Sequence, residues 1–467
     1  MRGFARRCGS QPLLGPLPQP PTNRLVEQPA VIDATWSDRG PLRILRGAVS
    51  ASGVAVLLLL GACAPPGNDV APPGTSPEAE EVPTYRVGLL LPVSGSRGDF
   101  GQGMLRAARL AQDDVADPER FAMDVYDTKG TPEGARQAAQ DAMDAGAKLL
   151  LGPVFSSSVD AVARIVEGGR VPVVAFSNDR RVARDGVWVT GLLPGEQVER
   201  IVGYAAAQGK QRFAVLAPDN DYGRLVVEAV AEAAHTHDVE LVDSRLLDTE
   251  SRDISEPVKA LAAYGRRQQK LKQRISELQN RGDAQAKREV LRLRNQDTLG
   301  AAPFDAMLLP IRASRLRKLA PILPDYDIDP AEVQFLGTNE WAGMDLSGDP
   351  NLQGAWYTAP SPDGGSRFKQ RYRSIHGSTP PDIAGLAYDA TALAGLMARR
   401  AAQDGTPPFR TFTPERLTQR NGFTGYNGLF RLNTDGLVER GYAVIQVTGS
   451  GQEVIDSAPS SFVGNAE

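Results

Sequence analysis

Cysteine is almost missing from this chain of 467 residues: Cys8 and Cys63 are the whole complement, so the fold must stand on its core and not on a disulfide framework. Histidine is nearly as scarce. His235, His237 and His376 are scattered, the first two lie on different faces at the end of a charged helix, and no zinc-ligand spacing arises from them. No phosphate-binding glycine loop is present and no G-x-S-x-G elbow follows a strand. Carboxylate neighbours such as Asp113 and Asp114 read as ordinary surface charge. The net charge of −4, with no basic block beside aromatic residues, argues against a nucleic-acid partner. The apolar run from Val54 to Leu60 is too short to stay in a bilayer as a helix. Together these absences read as a protein that is not an enzyme and needs no metal and no cofactor.

What is present is a hydrophobic content of 41%, enough for one large core or two medium ones. Residues 148–178, KLLLGPVFSSSVDAVARIVEGGRVPVVAFSN, read as strand, turn, helix, turn, strand. Leu149 to Leu151 and Val171 to Phe176 have the unbroken apolar character of strands buried on both faces. Between them Val159, Val162, Ile165 and Val166 recur at helical spacing, with Ser156 to Ser158 as N-cap and Gly168-Gly169 as stop. A helix that opens on three hydroxyls beyond a buried strand presents unpaired N–H groups and a positive dipole end, which suits a carboxylate. Helix capping alone accounts for the same serines equally well.

The alternation recurs along the chain. Strands are expected at Tyr85 to Leu91, Phe121 to Tyr126 and Val187 to Thr190, then at Phe213 to Ala217, Val239 to Ser244, Asp305 to Leu309 and Gln334 to Gly337. Helices are expected at 102–117, from Thr131-Pro132 to Gly146, and at 196–208, 224–235, 367–376 and 382–403. Gly101-Gln102-Gly103 lacks the third glycine of a dinucleotide fingerprint, since Arg106 stands there. Two successive strand–helix series predict an α/β protein of two doubly wound lobes. Residues 266–294 interrupt the second series with a charged helical hairpin broken at Gly282-Asp283. It reads as a solvated excursion resting a thin apolar stripe on the lobe, or as a dedicated partner-docking surface. The end of the chain is strand-like at Gly428 to Leu432 and Tyr442 to Thr448.

Upstream, Arg43 and Arg46 precede the apolar run, which ends in Leu60-Gly61-Ala62-Cys63. This resembles a bacterial lipoprotein signal, in which Cys63 would become the lipid-carrying first residue. Ala64 after it favours the inner leaflet of the outer membrane over the inner membrane. Ala64 to Pro83 is rich in proline, glycine and acids and reads as a semi-extended tether. The proline-rich lead before Arg43 is long for such a signal and is consistent with a start codon further downstream.

GLLLPVSGSRGDFGQG, YDTKGTPEGARQAAQ, the GPVFSSS turn, VLAPDNDYGRLV and GLFRLNTDGLVERGYAVIQV, taken together, resemble the type I periplasmic binding fold of the leucine-binding-protein class over residues 85–450. Within it the chain most resembles the lipoproteins called penicillin-binding protein activators, through its anchor, its charged insertion, and the pairing of YDT with GFTGYNGLFRL. The resemblance implies three crossings between lobes, near 190–193, 354–359 and 424–428. Lobe 1 would then hold 85–192 and 355–424, and lobe 2 193–354 and 425–457, with the insertion at 266–296, a leader over 1–62, a tether over 63–84 and a tail over 458–467. It implies a periplasmic, lipid-anchored, non-catalytic regulator of peptidoglycan synthesis whose partner is a penicillin-binding protein. The alternative is the substrate-binding protein of an ABC permease for branched-chain or other amino acids. Carried over by position, a small carboxylate or amino-acid ligand would meet Ser94, Phe100, Ser156, Ser157, Ser177 and Asn178 from lobe 1, and Tyr222 and Glu340 from lobe 2. Arg312 stands where relatives place an aromatic residue, and Arg180-Arg181 crowds the mouth. Both make the cleft more cationic than an amino-acid pocket.

Overall fold

The computed structural model describes residues 84–462, apart from 167, 169–170, 249–253 and 382, together with the two-residue strand Ala30–Val31. The segments expected to be a lipoprotein signal and a tether, Cys63 included, lie outside the described residues, and no helix among those described is long and apolar enough to cross a membrane.

The first lobe is built on a five-stranded parallel sheet ordered Phe121–Asp127, Tyr85–Leu91, Leu150–Leu151, Val173–Ala175, Val187–Val189. Its central strands are apolar on both faces because helices cover both, the condition for an all-parallel sheet. Leu89, Leu90, Leu91, Leu150 and Leu151 are all fully buried. The second lobe carries a seven-stranded sheet ordered Gly451–Asp456, Ala443–Thr448, Trp356–Ala359, Gln334–Gly337, Ala306–Leu308, Arg212–Pro218, Glu240–Leu247. Along Arg212–Pro218, Phe213, Val215 and Ala217 enter one apolar core while Ala214 and Leu216 enter the other. A period of two with both faces apolar is what a doubly wound layer requires.

Local chemistry sets the helix starts. Thr131 caps Pro132–Asp144 by accepting the Gly134 N–H at 3.0 Å, and Asn220 caps Asp221–Thr236 through the Gly223 N–H at 2.9 Å. Gly101 and Gly223 serve matching roles in the two lobes: a β-carbon there would lie 2.1 Å from the Pro92 carbonyl oxygen and 1.9 Å from that of Pro218. Gly101 therefore answers to close packing of helix on strand end, the reason a glycine is needed at such a turn.

Two crossings fall elsewhere than expected. Trp356–Ala359 pairs in parallel with Gln334–Gly337 and antiparallel with Ala443–Thr448, so it belongs to the second lobe and the chain crosses after it, near 360–361. Phe423–Gly425, Gly428–Leu432 and Val438–Arg440 form a small sheet, with Ala30–Val31 at its edge, and Phe423, Phe430, Leu432 and Val438 are buried in the first lobe's core. The last crossing is thus at Gly441-Tyr442. An apolar strand pattern shows that a strand is buried, not in which of two sheets.

The insertion forms the expected hairpin, Tyr264–Arg281 and Ala284–Leu293. Gly282, at φ +69°, ends the first helix, and Asp283 caps the second by accepting the Ala286 N–H at 2.8 Å. Leu271, Leu278, Ala286, Val290 and Leu293 make a core of their own.

Candidate functional site

In parallel sheets the strand ends that share an edge carry the loops that share a site. Ser94, Ser156-Ser157 and Ser177-Asn178 follow three strands that are adjacent in the first lobe, and Tyr222, Arg312 and Glu340 follow three adjacent strands in the second. The two walls come into electrostatic reach at Arg181: its pKa is raised by the hydrogen bond and charge of Asp179 and, more weakly, by Asp221 of the opposite lobe.

Each wall satisfies its own polar groups. Ser94 donates its hydroxyl to Asp127, whose carboxylate also accepts the Val93 and Lys129 N–H groups at 3.1 and 2.9 Å. Burial raises the pKa of that carboxyl, but the Ser94 hydroxyl and these N–H donors outweigh it and hold it below the usual range. The Ser177 hydroxyl is buried and accepts the Asp179 N–H at 3.1 Å, while Asn178 is exposed. Phe100 is half-buried and packs against the first lobe's core. The helix after the GPVF turn opens at Ser156, and the Phe155 carbonyl accepts the Val159 N–H at 2.9 Å. Ser156 and Ser157 therefore fill the first helical turn and Phe155 occupies the cap, which corrects the expectation that the serines cap the helix.

On the facing wall the Tyr222 hydroxyl lies 2.9 Å from that of Thr338, and burial raises the Tyr222 pKa. Glu340 Oε2 lies 3.3 Å from Arg312 Nε, with the arginine side chain 83% exposed. The carboxylate that the family resemblance would give to a ligand ammonium thus faces a guanidinium of the same wall. Arg181 Nε lies 2.8 Å from Asp179 Oδ1, so one of the two mouth arginines is locally neutralised and the mouth is less cationic than expected. Asp114, expected as surface charge, is likewise engaged: its side chain is 5% exposed, it pairs with Arg371, and it accepts the Tyr388 hydroxyl at 2.9 Å.

Beside the first and last crossings, at Thr190 and Gly441-Tyr442, lies a buried cluster that the sequence reading missed. Arg440, its side chain 1% exposed, donates to the Asn427 and Thr190 carbonyls at 3.1 and 3.4 Å and lies 3.9 Å from Asp389 Oδ2. Asp389 also accepts the Asn427 N–H and side-chain amide at 3.1 and 3.0 Å. Burial pushes its carboxyl up, against the pull of Arg440 and these donors. Glu196, in the first turn of Pro194–Ala207, faces the same arginine from the second lobe. Its pKa is pushed up to about 8 by burial, with Arg440 opposing. The Glu196 carboxyl and the Tyr442 hydroxyl face each other in the same cluster, and Arg440 Nε is buried without a hydrogen-bond partner. One signal was legible: Asp389 is a lone acid inside AGLAYDATALAGLMA, a helix otherwise apolar to its middle.

Among the described residues no group of three or more His, Cys, Asp or Glu side chains is arranged to hold a metal ion.

Fold and cleft together define the architecture of a type I periplasmic binding protein. The periplasmic binding protein family profile matches residues 84–266. A putative branched-chain amino acid ABC transporter from Rhodospirillum rubrum superimposes with a TM-score of 0.61 at 15% identity, over 80% of this chain and 100% of that one. The leucine-binding protein LivK of Thermotoga maritima gives 0.51 at 17%, over 80% and 99%. At these identities the likeness is one of fold. Within that class the chain is similar to the penicillin-binding protein activator LpoA of Glaesserella parasuis, 29% identical over 149 residues. The match spans 31% of this chain and 24% of that protein's length.

Proposed function

We propose that this protein is a lipid-anchored periplasmic regulator of peptidoglycan synthesis, without catalysis of its own, that acts by contacting a penicillin-binding protein. The likeness to LpoA supports the reading. The observation that carries it is the Arg312–Glu340 pair, in which the acid that the family resemblance would offer to an amino acid's ammonium is engaged by an arginine of the chain itself. A binding fold whose cleft is internally paired is suited to presenting surface and not to capturing solute. Cys63 and the residues up to Pro83 supply the anchor and a tether of roughly 60 Å if fully extended. The anchor sits in the outer membrane's inner leaflet. Pull-down of a bifunctional peptidoglycan synthase with the full chain tests the proposal. A complex with altered glycan-strand or crosslinking rates is expected, and absence of both refutes it.

A second reading, the substrate-binding protein of an ABC permease, draws on the first lobe. Its wall keeps Ser156 and Ser157 at a helix start, and the hydroxyl of Ser158 is buried without a partner. Thermal-shift titration with amino acids and small carboxylates discriminates the two: a tight ligand stabilises by about 4 kcal/mol at a thousandfold excess over its Kd. A flat response is expected.

A further inference from the structure

Residues 264–294 hold ten Lys and Arg against three Asp and Glu, in a chain whose net charge is −4. The rest of the chain is therefore net acidic, while this hairpin carries a local excess of positive charge. Among the described residues, Arg274 and Arg281 form ion pairs within the hairpin and Arg267 pairs with Asp327 of the lobe, while no ion pair engages Arg266, Lys270, Lys272, Lys287, Arg288, Arg292 or Arg294. Such unpaired like charges repel each other on two short helices, and nothing in the hairpin's own packing requires them.

The hairpin is held firmly. Buried Arg267 donates to Thr298 Oγ1 at 2.7 Å, to the Ala262 carbonyl at 3.3 Å, to the Gly300 carbonyl and to Asp327, while Thr298 donates to the same Asp327 oxygen at 2.6 Å. One side chain thus ties the start of the hairpin to its end and to the lobe. With its own apolar core above this clamp, the hairpin is a preorganised platform.

On the helix Ala284–Leu293 the inward face is Ala286, Val290 and Leu293. The outward face is Lys287, Arg288, Leu291 and Arg292, all exposed, with Leu291 at 65%. A single exposed leucine beside three cations offers a small apolar contact within a charged rim, the layout of a polar protein–protein interface. It does not match a helix that lies in a lipid surface, which needs a continuous apolar face, because the other large apolar residues of this helix are spent on the hairpin core.

We propose that Lys287, Arg288, Leu291 and Arg292 are the surface by which this chain docks onto an acidic patch, with an apolar recess for Leu291, on the penicillin-binding protein it regulates. The proposal rests on the function proposed above and names its contact. Rim charges steer encounter and the central apolar side chain slows dissociation.

The test measures binding of the full chain, made without lipid by Cys63→Ala, to a purified bifunctional penicillin-binding protein at rising ionic strength. Affinity should fall with salt, K287E/R288E/R292E should weaken binding about tenfold or more, and L291A about fivefold, with helix content and melting unchanged. K287Q/R288Q/R292Q, which introduces no new charge, should weaken it to an intermediate degree and serves if the triple Glu variant misfolds. Equal, salt-insensitive binding by parent and variants overturns the docking surface while leaving the proposed function standing. Failure of the parent chain to bind overturns both. Hairpin-dependent binding to phosphatidylglycerol vesicles that displaces the protein partner overturns the choice of a protein.

Discussion

At the mouth of the cleft, Ser94 bonds Asp127, Arg181 pairs with Asp179 and Arg312 pairs with Glu340, each within its own lobe and near solvent. Where the chain passes between lobes, Asp389, Arg440 and Tyr442 are buried together, with the half-buried Glu196 against them. Exposed pairs contribute little, since water screens them and ordering them costs entropy. Buried charge is different: removing one partner strands the other in a low-dielectric interior. The polar chemistry on which this fold depends therefore lies at the crossings and not at the mouth. That is the pattern expected of a protein whose lobes must be held in a set relation, rather than one tuned to clamp a solute.

The largest effect is expected at Arg440. Arg440→Met removes the cation that faces Asp389 and Glu196 from both lobes and should cost about 3–5 kcal/mol in urea unfolding. A loss below about 1 kcal/mol would show that the crossing is no more sensitive than the mouth.

Glu196 comes next, through pH. Its folded pKa of about 8 lies above the ordinary 4.5, so its contribution to stability is complete at acid pH and is lost as pH rises through about 8. Glu196→Gln should flatten that decline and stabilise the chain by on the order of 1–3 kcal/mol near pH 9, a figure reduced because part of the side chain reaches solvent. Parallel stability-versus-pH curves for parent and variant would remove Glu196 from the cluster.

At the mouth the effects shrink. Arg312→Ala should shift unfolding by about 0.2–1 kcal/mol. Ser156→Ala and Ser157→Ala should each stay within about 0.5 kcal/mol, because these serines sit inside the first turn and not at the cap, where the cost would be larger. Activity toward the synthase should survive both serine changes. Its loss at unchanged melting temperature would return the first wall to the ligand-binding reading.

Much of this architecture was legible in local chemistry. Gly282-Asp283 marked the break in the hairpin, Thr131-Pro132 a helix start, and LLL and VPVVAF buried strands, because caps, breakers and periodicity act over a few residues. Trp356–Ala359 was read into the wrong lobe because sheet membership depends on partners that are distant in sequence. The same limit hid the crossing cluster: Asp389 stood out as an acid in an apolar helix, but nothing local joins it to Arg440 or to Glu196. At the mouth the positions were legible and their pairing was not, since Arg312 and Glu340 meet only through the adjacency of two strands.

The central claim is that this chain works by touching a peptidoglycan synthase. The most direct measurement is the rate of glycan-strand polymerisation and crosslinking by a bifunctional penicillin-binding protein with and without the full chain. A saturable change in rate, insensitive to added leucine or other amino acids, is the predicted result. An unchanged rate, together with tight amino-acid binding by the chain, would contradict the account.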